Sequence, residues 1–386
     1  MRVSFGGILS LCCAAACGLG LASSAQAIVV DGSLDGAYGA ALAVQTINSG
    51  FGDSIVGDGT SAGGSELDAA YGVMCGGNLH LFLSGNHEDN GNQVNVFIAG
   101  GAAGQSTLAV PLTSQMQNMN GSVFSPGFQA TFALNTNDWY DSSSNSWTDY
   151  VEEYTLTGTP SGGYVGSFPL TGGIGSGILG LSTIGDNNTN AAGVNGNSGT
   201  AASAAAAQAV FTGWEVSIPL SAIGYTGGAV KVLACINGYD EDYLSNQFLP
   251  GLPVGTGNVG AGGPYAGVTA GAFNFGSTPG EYFTVRGPGD ANGDGRVDIN
   301  DLTIVLTNYG QSGHTWSQGC MDGDPIGMVD INDLTIVLTD YGKTYGAAGI
   351  RAVPEPSTPA LIGVGVASLL AFAWRRRGAS NLEPLD

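Results

Sequence analysis

The sequence predicts a mainly β protein: a large β-sandwich, a small α-helical EF-hand-like domain after it, and a C-terminal transmembrane helix. Three observations carry this reading. Residues 28–286 hold short apolar runs broken by Gly, Asn, Asp and Ser clusters, the pattern of strands and turns. Residues 287–346 hold a near-perfect internal repeat in which an acidic loop precedes an apolar stripe of helical period. An apolar stretch from Pro359 to Trp374 then ends in Arg375-Arg376-Arg377.

Composition narrows the function. The 386 residues include 9 Lys and Arg against 31 Asp and Glu, a formal charge of −22. Phosphate recognition needs clustered cations, so nucleic acid is excluded as a partner, and an anionic membrane surface is disfavoured on the same ground. From Ile28 to Val285 the one basic residue is Lys231, so no catalytic Arg can serve that span. With 43% apolar residues the chain can still build a core.

The N-terminal element is a targeting segment. Arg2, an apolar run from Phe5 to Ala22 and the small-residue site Ala25-Gln26-Ala27 form a secretory signal layout, with cleavage expected after Ala27. Export leaves Cys75, Cys235 and Cys320. Cys75 and Cys235 both lie in strand-like segments, so a bridge and two buried free thiols are equally open.

In the sandwich region, Leu79, Leu81 and Leu83 alternate and share a buried face, which turns His80 outward. Gln93–Ile98 reads as the partner strand of that segment. Further strands are expected at 127–134, 147–156, 214–219, 230–236 and 281–285, and long loops with one short helix at 158–209. Glu152-Glu153 and Asp240-Glu241-Asp242 read as solvated edges, because neighbours on a strand face opposite ways and seldom make a two-carboxylate catalytic site. No nucleophile elbow or metal-type His pair is present, so no catalytic residue is assigned. Trp139, Tyr140, Trp147, Tyr150 and Tyr154 form the densest aromatic cluster; core packing is the commoner use of such rings, and a sugar-stacking platform the alternative.

The repeat carries the sharpest chemistry. Residues 297–310 recur as 329–342 with one difference, Asn308 against Asp340. The preceding loop places Asp290, Asn292, Asp294, Asp298 and Asp301 at positions 1, 3, 5, 9 and 12, with Gly295 at 6 and the Arg296 carbonyl at 7. Hard Ca²⁺ takes six to eight oxygens, and this is the EF-hand spacing that supplies them. The second loop offers Asp322, Asp324, Asp330, Asp333 and the Met328 carbonyl, but Ile326 stands at position 5, so weaker binding is expected there. Leu302, Val305, Leu306 and Tyr309 should form a buried helical stripe, as should Leu334, Val337, Leu338 and Tyr341, with Gly310 and Gly342 ending each helix.

Loop plus helix, twice, with no entering helix, resembles a type I dockerin. That resemblance implies a Ca²⁺-dependent fold and docking through loop positions 10 and 11, here Ile299-Asn300 and Ile331-Asn332. These are not the Ser and Thr types common in cellulose-degrading assemblies, so a cohesin-like partner is left open. Val30–Asp35, Leu79–Asn86 and Gly213–Pro219 resemble segments of DOMON and family-nine-like carbohydrate-binding sandwiches, which implies a secreted ligand-binding or adhesive domain and no fixed ligand; an extracellular polysaccharide or another surface component is the expected partner. The order Pro354-Glu355-Pro356, apolar stretch, Arg375-Arg376-Arg377 resembles the PEP-CTERM sorting signal, with 347–357 as linker and 358–386 as helix and tail. It implies an exosortase partner, a precursor held in the inner membrane and a product at the cell surface or in the matrix. The expected function is thus an exported, calcium-binding surface or matrix protein. The competing class is a polysaccharide-degrading component of a dockerin–cohesin assembly.

Overall fold

Strand alternation decides where the core lies. In the computed structural model, which describes residues 28–51, 65–86, 90–141, 146–190, 192–260, 272–322 and 326–345, thirteen strands and three α-helices are assigned. In chain order they begin β1 (Ala43–Val44), β2 (Glu66–Cys75), β3 (Asn78–Asn86), β4 (Asn90–Ala99), β5 (Phe132–Asp141) and β6 (Ser146–Thr155). There follow β7 (Ser161–Leu170), β8 (Ile174–Leu179), β9 (Ser182–Asn187), α1 (Ala204–Ala207), β10 (Gly213–Pro219), β11 (Val230–Asn237), β12 (Leu244–Leu249) and β13 (Phe283–Val285). The chain then forms α2 (Ile299–Asn308) and α3 (Ile331–Asp340).

The strands make two antiparallel sheets. One runs β1-β2-β3-β10-β9-β8, the other β12-β11-β4-β5-β6-β7, with β13 added to β11. Leu79, Leu81 and Leu83 from the first sheet meet Val94, Val96 and Ile98 from the second in one shared core, as period-two alternation requires. The opposite faces are also covered. Phe97, Leu233 and Cys235 pack with Phe124 and Phe275 outside the second sheet, while Tyr38, Tyr71 and Phe82 pack outside the first. With both faces dry, β11 reads as a nearly unbroken apolar run, Val-Lys-Val-Leu-Ala-Cys-Ile.

Several expectations are corrected. Gln93–Ile98 does not pair with the Leu79 strand: β3 pairs with β2 and β10, and β4 with β5 and β11 in the other sheet. The alternation of both segments points into the same core from opposite sides, which sequence cannot distinguish from side-by-side pairing. Residues 158–209 are not mainly loops. They hold β7, β8 and β9 besides the short helix; Gly162, Gly163 and Gly166 lie inside β7, where they dilute the apolar signal. Glu152 and Glu153 are not solvated but 6% and 4% exposed, and Glu241 is fully buried between exposed Asp240 and Asp242. His80 is half-buried rather than exposed. Cys75 is exposed and Cys235 buried on the other sheet, and none of Cys75, Cys235 and Cys320 is in a disulfide. The signal segment and residues 346–386, including Pro354, Glu355, Pro356 and Arg375 to Arg377, lie outside the described residues. Among the described residues no helix is long and apolar enough to cross a membrane.

The repeat forms its own small core from Ala291, Val297, Val305, Cys320, Met321, Val329 and Val337. The expected stripe is rotated. Val305 is fully buried and Leu302 partly so, but Leu306 and Tyr309 are 55% and 46% exposed, with Leu338 and Tyr341 alike in the second copy. Asp301 and Asp333, the last residues of the loops, are fully buried within the first helical turns. That burial turns each helix so that Ile304 and Ile336 pack inward in place of the outer stripe. Gly310 and Gly342 do follow the helices, with φ of 78° and 85°.

Candidate functional site

Two constellations stand out, an aromatic-lined cleft on the second sheet and the pair of acidic loops.

The cleft is built by register. Trp139 on β5 lies beside Thr148 on β6, Tyr150 on β6 lies across from Asn137 on β5 and Ser167 on β7, and Tyr164 on β7 lies across from Glu152. Tyr239 arrives from the turn after β11. Its ring centroid is 5.6 Å from that of Trp139, and the Tyr150 and Tyr164 centroids are 6.3 Å apart. All four rings are exposed, and with Gln115, Asn135, Asn137 and Glu152 they line a cavity of about 250 Å³. Gly91 makes room for this arrangement: its φ is +83°, and a Cβ there would fall 2.4 Å from the Tyr239 ring.

Beneath the rings lies a buried polar network. Glu241 accepts from Asn95 Nδ2 at 2.7 Å, from Asn237 Nδ2 at 2.9 Å and from Asn135. Gln93 accepts from Asn135 at 2.5 Å and donates to the Tyr239 carbonyl at 2.6 Å, which ties the ring-bearing turn to the sheet. Burial pushes the Glu241 carboxyl up to about 8, against the lowering effect of its Asn donors. Glu152 accepts from the Gln115 amide at 3.0 Å and from the Tyr154 hydroxyl; burial raises its carboxyl above the usual range. Of the aromatic residues singled out in the sequence, Trp147 and Tyr154 are core, 4% and 0% exposed, while Trp139 and Tyr150 are in the cleft. The Tyr140 side chain lies outside the described residues. Tyr164, Tyr239 and Glu241 were not foreseen, because their partners are distant in sequence; a lone Tyr among glycines carries no local signal.

The acidic loops wrap around their first and last carboxylates. Asp290 accepts from the amides of Gly293, Asp294 and Gly295 at 2.8 to 3.1 Å. Asp301 accepts from Asn292 at 3.1 Å and Asp298 at 2.9 Å. In the second loop Asp333 accepts from Asp322 at 3.0 Å, Asp330 at 2.8 Å and Met321. Asp298 and Asp330 also cap α2 and α3. Gly295 (φ +83°) and Gly327 (φ +63°) both take the bend expected at position 6, and a Cβ on either would strike backbone. Burial raises the Asp290 carboxyl, the loop amides oppose that, and nearby Asp301 and Asp294 raise it further.

The first loop's side-chain donors are of the type a hard cation takes. Asp290, Asn292, Asp294, Asp298 and Asp301 offer oxygen alone, Asp290 and Asp301 are fully buried, and Arg296 is exposed with only its carbonyl needed. In the second loop ligand atoms of Cys320, Asp322 and Asp333 lie within 4.8 Å of one another. Cys320 was left without a role by its sequence, and the fold places it there. Asp324 lies outside the described residues; Met328 is half-buried and Ile326 is 59% exposed. Ile299, Asn300, Ile331 and Asn332 are all exposed, the two isoleucines by 59% and 58%.

Comparison with known families adds one decisive finding. Residues 352–377 match the PEP-CTERM protein-sorting motif. The chain is therefore marked for export and for handling by an exosortase-type enzyme, with the cell surface as its destination. The match covers the Pro-Glu-Pro element through the last arginine of the cluster. No curated protein and no solved structure matches the chain. The motif thus speaks for the tail, and the cleft and loops rest on their own chemistry.

Proposed function

We propose that this is an exported surface or matrix protein that binds an extracellular polysaccharide in the aromatic cleft and attaches through its Ca²⁺-loaded helical pair. One observation carries the glycan reading: Trp139, Tyr150, Tyr164 and Tyr239 converge, exposed, over a polar floor. Flat rings cover the apolar faces of sugars while Asn135, Asn137 and Glu152 meet their hydroxyls.

In the helical pair, Asp290, Asn292, Asp294, Asp298, Asp301 and the Arg296 carbonyl would hold one ion. Asp322, Asp324, Asp330, Asp333 and the Met328 carbonyl would hold a second, weaker one. Ca²⁺ there supplies charge neutralisation that closes the loops. The repeated Ile299-Asn300 and Ile331-Asn332 faces would receive a cohesin-like partner in either of two orientations. The tail would hold the precursor in the inner membrane until sorting.

A second reading, polysaccharide cleavage, is favoured by Glu152 and Glu241, two carboxyls raised by burial at and beneath the same cleft. The deciding experiment is a matrix-glycan array probed with the full chain and with Trp139→Ala, paired with a reducing-sugar assay. Retention lost in the variant without sugar release supports binding. Steady sugar release abolished by Glu152→Gln replaces binding with catalysis, and silence in both assays removes the glycan reading.

A further inference from the structure

A cavity of about 580 Å³ lies where the sandwich meets the repeat. Ala43 and Val44 of β1, which ends the first sheet, form one part of its wall. Phe283 and Thr284 of β13, which adds to β11 in the second sheet, form another. The segment between α2 and α3 completes it with His314, Thr315 and Trp316. That segment is held in place. The Trp316 indole donates to the Asp290 carbonyl at 3.0 Å, and the His314 amide donates to the Gly327 carbonyl at 2.9 Å.

The charge of this cavity is the reverse of the chain's. The sequence has 31 Asp and Glu, yet none is among the described residues that line it, whereas Arg286 and His314 both are. Between Ile28 and Tyr345 the Lys and Arg are Lys231, Arg286, Arg296 and Lys343. Lys231 donates to the Gly127 carbonyl, Lys343 pairs with Asp340, and Arg296 is exposed. Arg286 is half-buried. Its Nε is buried without a hydrogen-bond partner against Gly293, where an added Cβ would lie 2.8 Å away. His314 Nδ1 is also buried and without one. The Nη end of Arg286 and the Nε2 edge of His314 are not covered in this way, and they are left to meet a ligand.

We propose that this cavity binds a uronate, a sugar residue bearing a carboxylate, with Arg286 and His314 holding the carboxylate. A guanidinium is planar, and its paired N–H donors match the two oxygens of a carboxylate. A phosphate carries about two charges and three acceptor oxygens, for which one Arg and one His are too few donors. The Thr284 and Thr315 hydroxyls suit the hydroxyls of a sugar, and the Tyr282 and Trp316 rings suit its apolar face. The cavity shares no lining residue with the aromatic cleft, so the inference stands whether or not that cleft takes a glycan.

The test is calorimetry on the full chain at low salt, in saturating Ca²⁺ so that the acidic loops are in one state throughout. The probes are digalacturonate, its methyl ester and neutral galactobiose. Digalacturonate should show a binding step that is about tenfold or more weaker for the ester and for galactobiose. Arg286→Gln should remove that step, and Arg286→Lys, which keeps the charge and loses the fork, should weaken it. Lys231→Gln, which removes a cation elsewhere, should leave it unchanged. Thermal midpoints show which variants fold; should those at Arg286 fail, His314→Gln carries the same expectation from the other side of the cavity. Equal binding of acid and ester, a step that survives Arg286→Gln or His314→Gln undiminished, or hexanoate binding as tightly as digalacturonate overturns the proposal.

Discussion

Val297 and Val329 hold the same place in the two acidic loops, and each is bonded to the end of the other copy's helix. The Val297 amide donates to the Lys343 carbonyl at 3.0 Å, and its carbonyl accepts from Gly342 at 2.8 Å. The Val329 amide donates to the Gln311 carbonyl at 2.9 Å, and its carbonyl accepts from Gly310 at 2.8 Å. The loops are therefore not independent. Ordering one loop orders the segment that braces the other.

Calcium binding should show that coupling. Calorimetry on the full chain is expected to give a tighter and a weaker loop step, with Asp294→Ala removing the tighter. Asp333→Ala should abolish the weaker step and also lower the affinity of the tighter one several-fold, through the Val297 and Val329 bonds. Equal, uncoupled loop sites would contradict this.

Two glycines should differ sharply in tolerance. Gly295 has φ +83°, and an added Cβ would lie 2.6 Å from the Gly228 amide and 2.9 Å from the Tyr345 carbonyl. Gly310 has φ +78° with nothing within 4 Å. Gly310→Ala should cost only the left-handed strain, about 1–2 kcal/mol. Gly295→Ala should cost clearly more, because backbone on two sides must move. Chemical denaturation in saturating Ca²⁺ measures the difference.

In the cleft, Trp139→Ala and Tyr239→Ala should each weaken glycan binding by roughly 1 kcal/mol or more, about fivefold, since each removes a stacking face. Tyr154→Phe removes a buried hydroxyl bonded to Glu152 and Ser114 and should lower stability with little change in affinity. Affinity and thermal midpoint measured on the same three variants separate the two effects.

The sandwich should be more stable in mild acid than at pH 8 when calcium is absent. Burial raises Glu241 to about 8 and Glu215 to about 7, and holds Glu66 and Asp68 high as well. Between the unfolded value near 4.5 and these folded values, the native state binds more protons than the unfolded chain, so stability falls as pH rises. It is fully present below about 4.5 and lost through about 8. Scanning calorimetry on calcium-free protein should give a falling midpoint over that window, flattened in Glu241→Gln.

The tail predicts a sorting phenotype. Replacing Pro354-Glu355-Pro356 by alanines should leave the protein in the membrane fraction instead of at the surface, as fractionation and immunoblotting would show.

Sequence by itself determined the parts whose chemistry is local. The acidic loop spacing, the bend glycines, the helices after each loop and the sorting motif lie within short stretches, where spacing alone sets geometry. The positions of β3, β4, β6, β10 and β11 were legible for the same reason, because period-two alternation survives in any sheet, whereas the Gly-diluted β7 was read with β8 and β9 as loop. Tertiary structure alone decided which strands pair: Leu79 and Val96 enter one core from opposite sheets, whereas side-by-side pairing would satisfy the same alternation. It alone brought Tyr239 to Trp139, turned Glu241 inward, and set Arg286 and His314 on one cavity. Those residues are far apart along the chain, and their meaning arises from packing together, where an unpaired charge is expensive and each polar group must find a partner.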